Sequence, residues 1–338
     1  MVHEEDFMTE NIWHPGKILE TSGSFWQTCA LHAAVTLDLF TIIAGGKTTS
    51  ADIARAAGAD KDGLRRLLNA LTAMGLLTAD DQGYANTRES AAYLVRTAPG
   101  YIGYMIMHHH YLVDAWRQLD KSVQTGEPVR IRSSLADDTV REAFQMGMYN
   151  NARLTAPRLV KKIDLSDRTK LLDMGGGAGT YAIFFCRQYP ELTATVVDLP
   201  ATRSFAETVI KEYEMNDRID FVPCDYVNET LPGRYDVIWM SHILHSEDAD
   251  TCRQMVTQAY QVLEPGGMAA IHDFILNNDR TGPLFPALFS LNMLVGTPRG
   301  RAYTEKEIID MLTAAGFDQI QRSNYQGPTD SGIITAVK

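Results

Sequence analysis

A glycine-dense turn beside an acidic residue is the feature of this chain best suited to holding a nucleoside. Asp173 ends an apolar run, and glycines follow at positions 175, 176, 177 and 179 before a helical pattern begins. A dinucleotide fingerprint would need its third glycine one residue later, and Asp173 would repel a pyrophosphate at the helix start. An acid at this turn instead suits a cationic ligand without phosphate groups. S-adenosylmethionine, with an ammonium, a sulfonium and a ribose, has that chemistry.

Two further acids follow the next predicted strands. Asp198 ends the run Thr195-Val196-Val197, and a carboxylate in that place of a doubly wound fold can accept the ribose hydroxyls. The alternative role for Asp198 is a helix N-cap. Asp225 follows residues 221–224, where it can accept the adenine amino group, and a turn-forming aspartate is its alternative role. Together the three acids predict a site for a nucleoside without phosphates.

A histidine stands just past the end of the strand that comes next. The strand is predicted over 235–240, and His245 follows it at the rim where ligands bind in such folds. A histidine there can take a proton from a hydroxyl group near neutral pH. A solvent-exposed helix-cap histidine is the alternative that position alone leaves open.

Alternating strands and helices must position these side chains. From about position 168, apolar patterns typical of strands alternate with apolar patterns typical of helices, which predicts a mostly parallel sheet covered on both faces. The predicted strands are 170–173, 193–198, 219–222, 235–240, 268–274 and 332–337, and the predicted helices are 180–188, 201–214, 249–263 and 304–315. The fold class is therefore α/β.

The N-terminal third has the outline of a winged helix-turn-helix. Helical patterns over 24–43, 53–57 and 61–74 precede a turn at 80–83. A DNA-binding role would use the basic residues of the third of these helices, namely Lys61, Arg65 and Arg66. We favour a packing or dimerisation module instead, because the chain carries a net charge of −11 and its remainder has an enzymatic pattern.

The bulk composition sets the class of protein. The chain has 338 residues, enough for two domains, and 45% of them are hydrophobic. Its four cysteines are scattered without a CxxC pair, which indicates free thiols rather than disulfides or zinc. Residues 1–10 lack the basic and apolar regions of a signal peptide, and no apolar run is long enough to cross a membrane. We expect a soluble cytoplasmic protein with neither a nucleic-acid nor a membrane partner.

Five motifs in order resemble those of the two-domain S-adenosylmethionine-dependent O-methyltransferase family. They are the Asp173–Gly179 loop, Val197-Asp198-Leu199-Pro200, Asp225, Ile243-Leu244-His245 and the segment Leu263–Gly267. The resemblance runs from about Gly16 to Lys338. It implies a class I (Rossmann-like) methyltransferase domain and a mostly helical N-terminal winged-helix dimerisation domain, and thus a homodimer. We predict an N-terminal arm and dimerisation domain over 1–100, a helical connector over 101–165 and the catalytic domain over 166–338.

The resemblance also implies roles for individual residues. His245 is the catalytic base and Asp273 orients it, while Gly175 and Gly177 pass close to the methionine part of the cofactor and Tyr226 packs on its adenine. The remaining implied or assigned residues are Ser241 on the cofactor side and His108, Phe144, Met148, Tyr149, Asn292 and Met293 around the acceptor. The cofactor is S-adenosyl-L-methionine, the product is S-adenosyl-L-homocysteine, and we expect no metal.

Departures from the family pattern leave the methylated atom open. Where the family commonly has His-Asp-Trp, this chain has His245-Ser246-Glu247. Ser241 stands where a lysine is common, and Ala302 stands where the family has the second acidic partner of the base. A thioether acceptor needs no base, only alignment with the methyl group. An alternative is therefore S-methylation of 4-methylthio-2-hydroxybutyrate, as in the bacterial branch that makes dimethylsulfoniopropionate. We favour a hydroxyl acceptor because His245 is retained.

Two other features have competing interpretations. Histidines 108, 109 and 110 are consecutive in a predicted helix, so they face different sides and cannot bind one metal together. At least one of them is expected to line the acceptor pocket. Arg153, Arg299 and Arg301 could clamp an acceptor carboxylate or lie on solvated turns.

A function of another class is a transcription regulator that binds a small molecule. The complete set of three acids, Asp173, Asp198 and Asp225, speaks against it.

Overall fold

The computed structural model describes residues 13–338 and divides the chain into two compact units. The first unit ends at His110, and the second is Tyr111–Lys338. Two predictions concern residues outside the described part: that residues 1–10 are not a signal peptide, and that the chain begins with an N-terminal arm, most of which lies there. The division of the chain at positions 100 and 165 stays a prediction.

The first unit is a small helical body with one β-hairpin. Thr49 and Asp60 accept hydrogen bonds from backbone N–H groups of the next turn and so begin two of its helices. Leu39, Phe40 and Leu68 lie in its buried core. The elements are α1 (Pro15–Gly23), α2 (Phe25–Thr36), α3 (Leu39–Ala44), α4 (Ser50–Ala57), α5 (Lys61–Ala73), β1 (Leu77–Asp80), β2 (Gly83–Asn86), α6 (Arg88–Tyr93) and α7 (Gly103–Trp116), whose last residues belong to the second unit.

The second unit is built on one large twisted sheet. Its elements are α8 (Leu119–Thr125), α9 (Asp138–Leu159), β3 (Lys170–Met174), α10 (Thr180–Gln188), β4 (Thr193–Asp198), α11 (Arg203–Glu212), β5 (Ile219–Pro223), β6 (Tyr235–Ser241), α12 (Ala249–Val262), β7 (Leu263–Leu276), α13 (Leu284–Gly296), β8 (Tyr303–Thr304), α14 (Glu305–Ala315), β9 (Asp318–Gln326) and β10 (Ser331–Val337). The strand order is β5-β4-β3-β6-β7-β10-β9, with β8 paired to β7.

The central strands of this sheet are parallel, as the sequence predicts. β3 pairs in parallel with β4 and β6, and β4 and β6 pair in the same way with β5 and β7. β10 and β9 complete the sheet as antiparallel strands. Apolar clusters fill both faces, so the two-sided packing expected of an α/β sheet is present. The carboxyl ends of β3, β4, β5, β6 and β7 consequently share one edge.

The sequence patterns missed β9 and α13. β9 reads Asp-Gln-Ile-Gln-Arg-Ser-Asn-Tyr-Gln, an edge strand whose side chains are mostly exposed and which therefore lacks an apolar signal. α13 is apolar on nearly every side, so it shows no helical periodicity.

None of the helices within residues 13–338 combines the length and the apolar character that a bilayer crossing requires.

Candidate active site

The glycine turn follows β3 at the carboxyl edge of the sheet. Gly175, Gly177 and Gly179 have φ values of 68°, 55° and 71°, a left-handed backbone that side-chain-bearing residues rarely adopt. Gly179 is the N-cap of α10. The turn therefore needs glycine at all three positions and brings bare backbone to the place where a ligand would lie.

Asp173 lies buried directly beneath this turn. Its Oδ2 accepts a hydrogen bond from the N–H of Ala182 at 3.3 Å, and its Oδ1 has no partner in the described part of the chain. A Cβ added to Gly176 would lie 2.6 Å from Cγ of Asp173. Burial, and secondarily the nearby charge of Asp198, raise the pKa of Asp173 from 3.8 to about 7. An unpartnered carboxylate oxygen at this depth suits a cationic ligand group.

Asp198 ends β4 and is largely satisfied by its own neighbours. Its Oδ2 accepts from the N–H of Gly177 at 2.8 Å, and its Oδ1 accepts from the N–H of Leu199 at 2.7 Å and from the Thr202 hydroxyl at 3.2 Å. Burial raises the pKa of this carboxyl group. A carboxylate offers about four acceptor positions, so about one remains for a ribose hydroxyl unless the Gly177 bond is exchanged.

Asp225 makes the turn that was its alternative role. Its Oδ1 accepts from the N–H groups of Val227 and Asn228, and its Oδ2 accepts from the Asn228 side-chain amide at 2.8 Å. These bonds hold the loop that follows β5. The same carboxylate keeps about one acceptor position, so the predicted contact with adenine stays a prediction.

The side chain of Tyr226 lies next to the glycine turn. A Cβ added to Gly175 would lie 3.2 Å from the Tyr226 hydroxyl oxygen and 2.6 Å from Cγ2 of Ile243. Burial raises the pKa of Tyr226, and the negative charge of Asp198 adds to the rise. The glycine turn, Tyr226 and Asp198 therefore border one space. Any side chain at position 175 would collide with Ile243 in this space, so the position requires glycine.

His245 and Asp273 form a buried hydrogen-bonded pair at the same edge. His245 lies in a short 3-10 helix after β6, and Asp273 lies on the neighbouring β7. Nδ1 of His245 and Oδ1 of Asp273 are 2.7 Å apart. Burial alone would raise the pKa of Asp273, but the attraction and the hydrogen bond of His245, together with the nearby His242 imidazole, lower it far below its usual value. Asp273 is thus ionised, and it orients the imidazole so that Nε2 can act as a base.

Aromatic rings surround this pair. The ring of Phe289 from α13 meets His245 edge to face at 4.7 Å between centroids, and the ring of Phe274 lies stacked on it at 5.9 Å. Phe274 also lies 5.0 Å from Phe285 and 4.5 Å from Phe289. The wall next to His245 is therefore apolar and aromatic.

His242 is a second imidazole beside Asp273. Its Nδ1 lies 3.6 Å from Oδ1 of the carboxylate. Ligand atoms of His242, His245 and Asp273 lie within 4.8 Å of one another, and this is the one group in residues 13–338 with metal-ligand spacing. The prediction that the site holds no metal stays a prediction.

Ser241 does not point at open solvent. Its hydroxyl lies 3.0 Å from Nδ1 of the buried His272, whose Nε2 lies 3.1 Å from the Ser331 hydroxyl. His272 also stacks on Trp239. Burial lowers the pKa of His272 well below its usual value, which makes it a neutral, structural histidine. The predicted contact of Ser241 with the cofactor stays untested.

The predicted acceptor residues lie on three helices. Asn292 of α13 is buried, and its side-chain oxygen accepts from the indole N–H of Trp116 at 3.1 Å. Met293 beside it is buried. On α9, Phe144 is half-buried and Met148 is 38% exposed. The hydroxyl of Tyr149 contacts that of Tyr213 at 3.4 Å.

The remaining acceptor assignments find other surroundings. His108 is buried on α7 within the first unit, and its predicted role stays a prediction. Arg299 pairs with Asp248 at 3.7 Å, and Arg301 pairs with Glu307 at 2.9 Å. These two arginines already have carboxylate partners of their own, which favours the structural role for both.

Sequence reasoning missed an ion pair beside His245. Arg132, from the loop before α9, pairs with Glu247 through Nη1 at 2.5 Å and donates through Nη2 to the carbonyl of Ser246 at 2.6 Å. The charges of both members act on Tyr226. The pair joins positions 115 residues apart, so no local pattern could have shown it.

Comparisons with known proteins agree with this geometry. A model of the O-methyltransferase domain matches residues 111–318, and a model of the O-methyltransferase dimerisation domain matches residues 19–96. The 3-hydroxy-5-methyl-1-naphthoate 3-O-methyltransferase of Streptomyces sahachiroi is 34% identical over 330 residues, covering 96% of this chain and 95% of that protein. The tetracenomycin polyketide synthesis 8-O-methyl transferase TcmO of Streptomyces glaucescens is 32% identical over 327 residues, covering 94% and 96%.

A solved structure supports the same fold. Human N-acetylserotonin methyltransferase in complex with S-adenosylmethionine superposes with a TM-score of 0.85 at 25% identity, covering 98% of this chain and 99% of that one. The predicted class I methyltransferase fold with a helical N-terminal dimerisation domain is confirmed.

Proposed function

We propose, from the premise that this chain belongs to the O-methyltransferase family, that it methylates a hydroxyl group on an aromatic ring. The chain is a small-molecule methyltransferase, and its methyl donor is S-adenosylmethionine, on which the family depends. We propose two further points: that the acceptor is aromatic, and that the residues described below act on it.

The observation that carries the proposal is the His245–Asp273 pair inside an aromatic wall. Nδ1 of His245 is engaged by Asp273 at 2.7 Å, which leaves Nε2 as the atom that can accept a proton. Phe274 and Phe289 border the imidazole. Rings on these sides favour a flat apolar acceptor. A thioether would have no use for a buried, carboxylate-oriented base.

The residues of the glycine turn fit the cofactor. Asp173 offers an unpartnered buried oxygen that suits the ammonium group, and positions 175 and 177 leave backbone bare. Asp198 retains about one acceptor position for the ribose. We assign Tyr226 and Asp225 to the adenine side.

The reaction needs one proton acceptor. Bound S-adenosylmethionine supplies a methyl group on a sulfonium, so the acceptor oxygen bonds the methyl carbon while the carbon–sulfur bond breaks and leaves its electron pair on sulfur. The hydroxyl proton passes to Nε2 of His245, and the imidazolium charge is balanced by Asp273. The phenyl rings exclude water from this step.

We propose that the protein works as a homodimer. The chain carries a dimerisation domain, and large apolar side chains are exposed on and beside α1 and α2: Trp13, Ile18, Leu19, Phe25 and Trp26. An apolar patch of this kind on a single chain is typical of a subunit interface. Light scattering should therefore give twice the mass of one chain. The cytoplasmic location and the absence of a nucleic-acid partner stay predictions from the sequence.

The test uses S-adenosylmethionine with a deuterated methyl group and three acceptors. These are 3-hydroxy-1-naphthoic acid, 1-naphthoic acid as the control without a hydroxyl, and 4-methylthio-2-hydroxybutyrate as the sulfur acceptor. Label is expected in an ether of the first acceptor, and His245→Ala should lower that rate by about 10²- to 10⁴-fold. Label in a sulfonium product, or full turnover by His245→Ala, would refute the proposal. The sulfur alternative has no support among the relatives compared above, which are named O-methyltransferases.

A further inference from the structure

We infer that His242 is a positioning residue that shares the Asp273 carboxylate with His245 and holds it in the orientation the base requires. The inference rests on the proposed function, because it concerns the same base. Nothing in the sequence motifs assigns a role to His242.

The backbone at His242 is held in an uncommon conformation. Its φ is 58°, in the left-handed region, which a residue with a bulky side chain occupies only when its surroundings impose it. The backbone N–H of His242 donates to the carbonyl of His272 at 2.8 Å, so β7 fixes this turn. With this backbone, the imidazole lies next to Asp273.

The side chain ends beside Asp273 without a hydrogen bond of its own. Nδ1 of His242 is buried, has no hydrogen-bond partner in the described part of the chain, and lies 3.6 Å from Oδ1 of Asp273. That distance is just beyond a hydrogen bond, and a small rotation of the ring closes it. The same Oδ1 also receives His245 Nδ1 and the N–H of Phe274 at 2.8 Å.

Rigid neighbours limit how the His242 ring can move. Its centroid lies 4.4 Å from that of His272 and 4.4 Å from that of Phe274. His272 is itself fixed by hydroxyl groups on both ring nitrogens. The titratable groups that face His242 and Asp273 are His245, His272 and, from α12, Cys252.

The composition of the site explains why a second imidazole matters. Ala302 is buried and offers no polar group, and within residues 13–338 the carboxylate hydrogen-bonded to the His245 ring is that of Asp273. Its Oδ1 accepts from the N–H of Phe274 and lies next to both imidazoles. A donor from His242 to the same Oδ1 would add a second side-chain contact that keeps this oxygen directed at His245.

The experiment separates this role from relief of backbone strain. His242→Asn keeps a side-chain N–H and tolerates the left-handed backbone, His242→Gly tolerates the backbone without a donor, and His242→Phe keeps a ring without a donor. Glu214→Gly, an exposed left-handed position after α11, is the matched control for backbone relief alone. Each is assayed as full-length protein with 3-hydroxy-1-naphthoic acid and excess EDTA, beside His245→Ala.

The expected pattern is a loss of kcat that follows the donor. His242→Gly and His242→Phe should lower kcat about tenfold with little change in KM, and His242→Asn should retain most of the wild-type kcat. In His242→Gly and His242→Phe the acid limb of kcat/KM should move to higher pH by about half a unit, because Asp273 then acts on His245 alone. Wild-type kcat and an unmoved acid limb in His242→Gly would overturn the inference, whereas an active His245→Ala would overturn the proposed function instead.

Discussion

Replacing Asp173 by asparagine should make the cofactor-free protein more stable and at the same time weaken cofactor binding. The carboxyl group is fully buried under the glycine turn with one oxygen unpartnered. Its ionised form is therefore costly until a cation arrives. Asparagine has nearly the same shape but carries no charge, so it removes the cost and the attraction together.

The size of the effect follows from the pKa. A rise in the pKa of Asp173 from 3.8 to about 7 is equivalent to about 4 kcal/mol against the ionised form at alkaline pH. The new amide leaves donors unpartnered, which costs about 1–3 kcal/mol at every pH. We expect a net gain of about 1–3 kcal/mol at pH 8, or a rise of a few degrees in Tm.

Comparing stability at two pH values isolates the effect of the carboxylate charge, because the cost of the unpartnered amide donors is the same at each pH. Because the folded-state pKa of Asp173 is raised, its contribution to wild-type stability is fully present below pH 3.8 and is lost as pH rises through about 7. Between pH 5 and pH 8 the stability of Asp173→Asn relative to wild type should therefore increase by about 2–3 kcal/mol. The amide term cancels in this comparison.

Thermal or urea unfolding at pH 5 and pH 8 measures this difference without cofactor. Asp220→Asn, an exposed acid on β5, is the control for loss of one carboxylate. Adding S-adenosylmethionine should raise the Tm of wild type and of the control, and should raise that of Asp173→Asn much less. Equal stability differences at the two pH values would show that the carboxylate is not a buried uncompensated charge, and would refute this reasoning.

Three further changes test other parts of the site. Asp198→Ala should raise the Kd for S-adenosylmethionine at least about 100-fold by calorimetry, since it removes a charged acceptor and frees the N–H of Gly177; unchanged affinity would contradict the ribose assignment. Arg132→Leu should raise the KM for S-adenosylmethionine about tenfold, because Glu247 loses its partner beside Tyr226, and the double variant Arg132→Leu/Glu247→Leu should recover part of it; equal KM values for single and double variants would argue against the pair. Dialysis against EDTA should leave methyl transfer unchanged, and a loss that zinc or magnesium restores would show that His242, His245 and Asp273 hold a metal.

The parts of this molecule that the sequence predicted are those with strong local patterns. The glycine turn needs left-handed backbone at fixed positions, and Asp173, Asp198 and His245 each follow an apolar strand, so chain order alone put them at one edge of the sheet. The polar edge strand β9 and the wholly apolar α13 lack a period, and so neither could be recognised.

The contacts that complete the site depend on the tertiary fold. Arg132 reaches Glu247 from 115 residues away, and Asp198 and Asp225 each keep about one acceptor position because their own turns, which no spacing rule describes, fill the others. His242 and His245 are three residues apart, and both rings lie at one carboxylate, with His242 in a left-handed backbone conformation. The resemblance named His245 and Asp273, but nothing in the sequence pointed to His242 as a second neighbour of that carboxylate.

Two buried aspartates of this site show how environment sets opposite roles for one side chain. Asp173 and Asp273 are both almost inaccessible to solvent, yet the pKa of Asp173 is raised and that of Asp273 is lowered. The difference lies in the surroundings: Asp173 has one backbone N–H, whereas Asp273 has the His245 imidazole, the nearby His242 ring and the backbone N–H groups of His245 and Phe274. Asp173 is therefore poised to ionise when a cation binds, whereas Asp273 is ionised beforehand and can steady a base whose charge changes during turnover. A base supported by one carboxylate can work only if that carboxylate is already charged and held in place, which is the role we infer for His242 beside Oδ1 of Asp273.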